Sequence, residues 1–93
     1  MKDIEIQDIG IRNVNFGKNI KIIQPTNLYD CKIGDGSFVG PFVEIQSKSV
    51  IGKNTKIQSH SFICSLVEIG NDCFIGHGVK FINDKFSDGA PAG

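Results

Sequence analysis

Ninety-three residues allow one domain at most, and Lys plus Arg (10) balances Asp plus Glu (10). A formal charge of zero with no basic stripe argues against nucleic acid or an anionic membrane as partner, and no run approaches transmembrane length. Cys31, Cys64 and Cys73 are odd in number and lack CxxC spacing, and MKDIEIQDIG holds no apolar signal region; both fit a reducing cytoplasm rather than a disulfide framework.

The chain opens on an extended lead-in over 1–15, in which Ile4, Ile6, Ile9 and Ile11 alternate with other residues; it is expected to cover an open strand edge. From residue 16 a six-residue period takes over. FGKNIK (16–21) and IIQPTN (22–27) begin it, and LYDCK (28–32), one residue short, tightens a corner. An aliphatic anchor then recurs at Ile33, Val39, Ile45, Ile51, Ile57, Ile63, Ile69 and Ile75, and the next step reaches Phe81. Small or β-branched residues sit two places before each anchor, and Gly follows it at 34, 40, 52, 70 and 76. A helix would space its apolar residues by three and four, and a plain strand by two. Period six predicts an all-β chain: a left-handed parallel β-helix of hexapeptide repeats, with no helix.

Three hexads make one triangular coil of 18 residues, so 16–82 holds about four coils. IGDGSF (33–38), IGKNTK (51–56) and IGNDCF (69–74) align without a gap at that offset and bring Gly36, Asn54 and Asp72 to one corner. These residue types tolerate the left-handed backbone that a tight corner requires. Such a stack escapes the marginal core of a small globule, because each coil buries its apolar side on the next. Residues 83–93, NDKFSDGAPAG, lose the period and read as an exit loop, so 1–93 forms a single β-helix domain.

The run FVEIQ, IGKNTKIQSH, FIC, IGNDCFIGHGV, F, ND between residues 38 and 86 resembles the hexapeptide acyltransferases that acetylate nucleotide-linked amino sugars. It is most like the branches that N-acetylate 3-amino sugars for surface polysaccharides. The resemblance covers about half of the chain in detail. It implies a homotrimer with active sites between adjacent prisms, acetyl-CoA as acyl donor and a nucleotide-linked amino sugar as acceptor. The family continues past the ND loop into coils that hold much of the CoA. The chain is therefore expected to be the acceptor-binding, N-terminal part of a longer protein, with much of its cofactor site elsewhere.

Within that reading His60 and His77, 17 residues apart, fall on neighbouring coils near one corner. An imidazole there can take the proton of an attacking amine; the alternative is a pair of solvated corner residues. The match to the ND loop marks Asn83 as a candidate donor to the acyl carbonyl oxygen and Asp84 as a substrate contact, against a simple Asn-Asp turn. Glu44, Gln46 and Gln58 are candidate acceptor-binding residues, the two glutamines standing where Gly is commoner. Phe38, Phe62 and Phe74 precede their anchors and point outward, as a subunit interface would need. No phosphate-cradling GxxxxGK[ST] loop is present, and no metal site is expected. Two other functions suit the same prism: a non-catalytic scaffold or inactive remnant, and a zinc protein resembling the γ-type carbonic anhydrases. The latter needs three histidines brought together across an interface, and this chain offers two.

Overall fold

A computed structural model describes residues 3–82 and the backbone of two short strands beyond them, Phe86–Ser87 and Ala90–Pro91. The chain winds as a parallel β-solenoid of about four coils, as a left-handed β-helix of hexapeptide repeats requires. The first face stacks Ile11–Arg12, Asn27–Tyr29, Glu44–Ile45, Phe62–Ile63 and Lys80–Phe81. The second stacks Asn15–Phe16, Lys32–Ile33, Val50–Ile51 and Glu68–Ile69. The third stacks Lys21–Ile22, Phe38–Val39, Lys56–Ile57 and Phe74–Ile75. Among the described residues there is no helix, and so none long and apolar enough to cross a membrane.

The anchors form the core. Leu28, Ile45 and Ile63 line up inside the first face, Ile33 and Ile51 inside the second, Val39 and Ile57 inside the third, and all are buried. Each such side chain contributes roughly 1.5–3 kcal/mol by leaving water. The residues two places earlier are also buried, and several carry hydroxyls that tie one coil to the next. Ser37 Oγ donates to Gly52 O (2.8 Å) and accepts from Thr55 N (3.1 Å). Thr55 Oγ1 repeats the pattern one coil on, donating to Gly70 O (2.7 Å) and accepting from Cys73 N (3.2 Å). Ser49 and Ser61 donate likewise to Cys64 O (2.6 Å) and Gly76 O (2.9 Å). Burying these hydroxyls is therefore not an unmet cost.

The corners turn through left-handed backbone. Asn19, Gly36, Asn54 and Asp72 have φ of 58°, 72°, 53° and 57° at the corner between the second and third faces, and the column predicted there is present. The other corners use Asn13, Asp30, Lys48 and Leu66, and then Phe42, His60 and Gly78. Coils approach closely beside Gly52, where a Cβ would lie 2.5 Å from both Gly70 C and Asn71 Oδ1. Asn71 Oδ1 accepts from Lys53 N there (2.8 Å).

The structure differs from the sequence reading at both ends. Stacking begins at Ile11, whose strand pairs Ile11 with Leu28, rather than at residue 16. IRNVN (11–15) is itself a five-residue side lying on LYDCK (28–32), so pairings run at an offset of 17 up to Leu28–Ile45 and of 18 from Lys32–Val50 onward. The lead-in does not cover the open edge: Ile4, Ile6 and Ile9 are 62%, 83% and 59% exposed. Phe86–Ser87 and Ala90–Pro91 pair antiparallel, so the segment expected as a loop contains a short two-stranded ribbon.

Candidate functional site

The corner joining the third face to the first gathers the two histidines. Lys56–Ile57 runs into Gln58, Ser59 and His60, and the chain turns at His60, with φ of 64°, into Phe62–Ile63. Histidine enters that left-handed region more readily than most residues other than glycine, and the solenoid's corner requires it here. The corner is held by its neighbours: His60 N donates to Pro41 O (3.2 Å), and Gly78 N to Ser59 O (3.0 Å). In the coil before, Phe42 occupies the same corner place, and its ring stacks on His60 at 4.9 Å between centroids and 28° between planes.

His77 precedes Gly78 and stands in register with Ser59. Ser59 Oγ and His77 Nδ1 are 2.9 Å apart, and either can donate. When Nδ1–H donates, Nε2 is left with its lone pair and can accept a proton. Both histidines are exposed, so the corner is open to a molecule arriving from solvent. The two residues therefore share one corner on adjacent coils, as their spacing suggested, and each has a fixed neighbour: a phenyl ring under His60, a hydroxyl beside His77.

The other candidates are distributed around this corner. Glu44 follows it on the first face, opposite Phe62, and lines a groove of about 220 Å³ with Ile9, Thr26, Asn27, Phe42 and Val43. Gln58 immediately precedes the corner on the third face and is half-buried. Gln46 lies at the far end of its strand, and its amide is engaged at both ends. Nε2 donates to Glu44 Oε2 (2.9 Å), and Oε1 accepts from Ser65 N (3.3 Å) and Ser65 Oγ (3.4 Å). Its size at a position favouring Gly is accounted for by these bridges, which also orient Glu44. Asn83 and Asp84 lie outside the described residues.

The phenylalanines do not form a row. Phe38 and Phe74 share the third face with Lys56 between them, whereas Phe62 is on the first face between Glu44 and Lys80. Sequence reasoning also passed over Ser59 and Phe42. The signal was present: adding 18 to 59 gives 77, and adding 18 to 42 gives 60. Cys31, by contrast, is no nucleophile at neutral pH. Burial, and secondarily the charge of Asp30, pushes its thiol up to about 11 against a hydrogen bond from the Tyr29 backbone that lowers it.

Residues 30–65, about two fifths of the chain, match the family described as bacterial transferase hexapeptide (six repeats). Those 36 residues are six hexads, from the corner at Asp30 past the corner at His60. No curated protein matches the chain. The match and the solenoid together support a hexapeptide-repeat β-helix family, and with it a transferase family in general.

Proposed function

We propose that the chain supplies the acceptor side of an acetyl-CoA-dependent acetyltransferase whose substrate is the amine of a nucleotide-linked sugar, with the site shared between prisms of a homotrimer. The observation that carries this reading is the histidine corner: His77 oriented by Ser59 at 2.9 Å, next to His60 on its phenyl support. In the reaction the amine nitrogen attacks the thioester carbonyl carbon, the carbon–sulfur bond breaks, and the nitrogen gives up a proton as CoA leaves. His77 Nε2 takes that proton when Nδ1 is held by Ser59. Glu44, held by Gln46 and flanking the same corner, and Gln58 on its other side are proposed to bind sugar hydroxyls. Asn83 and Asp84 are proposed to complete the acceptor site from the exit segment.

The test is release of the CoA thiol from acetyl-CoA, in the presence of a panel of nucleotide-linked amino sugars, by a protein that joins these residues to the CoA-binding coils. Turnover with an amine acceptor, lowered about a hundred- to ten-thousandfold in His77→Ala, is the expected result. Ser59→Ala should reduce turnover less and alter its pH profile. Absence of thiol release with every acceptor would favour the scaffold reading. Native turnover in both His60→Ala and His77→Ala would leave the corner without a catalytic role.

A further inference from the structure

The first coil ends the prism with an uncovered strand edge. Asn15 N and Gly17 N donate to Cys31 O and Ile33 O, and Lys21 N and Ile23 N to Ser37 O and Val39 O, all in the second coil. Gly10 O and Arg12 O accept from Leu28 N and Asp30 N of that coil. In a parallel ladder, alternate residues turn their backbone groups to opposite sides. Ile11, Phe16 and Ile22 therefore direct theirs off the end of the prism, one from each face. The rim around them is apolar: Ile11 and Phe16 are exposed, and Val14, Ile20 and Ile22 are only partly buried. Phe16, Ile20 and Ile22, with Gly17 and Asn19, line a groove of about 360 Å³ there.

Immediately before this coil lies an arm of opposite character. Residues 3–8 present Ile4 and Ile6 to solvent, and Ile9, beside Thr26 and Phe42 of its own prism, is still 59% exposed. Their charges are also complementary to the rim. The arm carries Asp3, Glu5 and Asp8 and no cation, whereas the first coil, 11–27, carries Arg12, Lys18 and Lys21 and no carboxylate. Arg12 is already engaged, donating to Asn27 Oδ1 (3.0 Å) and lying over the Tyr29 ring (5.0 Å). Lys18 and Lys21 remain as the exposed cations.

We infer that the arm, residues 3–10, docks on the first coil of a second copy of this chain. Two copies meet head to head, each arm adding as a strand to the partner's open edge. The arm buries its isoleucines on the Phe16, Ile20 and Ile22 rim and sets its carboxylates against Lys18 and Lys21. A two-fold exchange of this kind uses the same patch on both copies and closes on itself. It also covers an edge that would otherwise template uncontrolled pairing.

Charge reversal tests it on the full chain. Lys18→Glu/Lys21→Glu and Asp3→Lys/Glu5→Lys/Asp8→Lys should each halve the mass seen by light scattering at micromolar concentration, with the β-rich circular dichroism spectrum retained. Mixing the two should restore the larger mass, since each arm then meets a rim of opposite sign. Carbodiimide coupling in a mixture of nitrogen-15-labelled and unlabelled wild-type chain should join arm carboxylates to Lys18 or Lys21 across labels. Couplings confined to single-label pairs would show the arm folding onto its own prism and overturn the proposal. So would an unchanged mass in both charge variants.

Discussion

Replacing Thr55 by Val keeps shape and adds apolar surface, yet should destabilise the chain. Thr55 is fully buried, and its hydroxyl serves two coils, donating to Gly70 O (2.7 Å) and accepting from Cys73 N (3.2 Å). Losing the first bond costs about 0.5–1.5 kcal/mol, because Gly70 is exposed and water can replace the donor. Among the described residues the Cys73 N–H has no other partner, and leaving it unmet costs about 1–3 kcal/mol. The new methyl returns about 1 kcal/mol. The net loss is about 2 kcal/mol, or roughly 8–16 °C in Tm for a domain of this size. Thermal and urea melts of Thr55→Val and Thr55→Ser measure it. Ser keeps both bonds and gives up one methyl, so it should lose only about 1 kcal/mol. A Val variant as stable as the native chain, or more so, would refute the claim that hydroxyls tie the coils.

Ile57→Asp places a carboxylate in the centre of the third face's core, between Val39 and Ile75, and should abolish cooperative melting in circular dichroism. Gly52→Ala sets a methyl against Gly70 backbone that has no freedom to yield, and a loss of about 1–3 kcal/mol is expected in urea titration. Cys31 is held protonated in the fold, its thiol raised from 9.0 to about 11. Between those values the unfolded chain releases a proton that the folded chain keeps, so stability is intact below pH 9 and falls as pH rises toward 11. The fall attributable to this thiol is about 2–3 kcal/mol, and urea midpoints of Cys31→Ala should lack it.

The regular part of the fold was legible because one constraint repeats. Ile33, Ile51 and Ile69 declare their stack by an 18-residue offset, and Gly36, Asn54 and Asp72 declare a corner by residue type. Corners at Phe42 and Leu66 carry no such mark, since the coils on either side enforce their backbone. Only the first side of the first coil was missed, because IRNVN lacks the Gly and the six-residue length, and only pairing with LYDCK reveals it. The lead-in's period of two led to the expectation that it covers the open edge, which the exposure of Ile4, Ile6 and Ile9 contradicts, because alternation alone does not say what a segment lies against. At the candidate site, spacing placed His60 and His77 together. The same register pointed to the Ser59 and Phe42 contacts, whereas the engagement of Gln46 by Ser65 depends on rotamers the sequence does not specify.

Every pairing in the prism closes a loop of 17 or 18 residues, and none of the stacked faces joins strands more distant in the chain. The entropy of closing each coil is therefore nearly the same from the first to the last. Held by its two ends and drawn apart, such a molecule has no single clasp whose rupture releases the rest. It unwinds from whichever end is less well covered, in near-equal increments of about 6 nm of extended chain per coil. The two 17-residue coils at the start yield slightly less than those that follow.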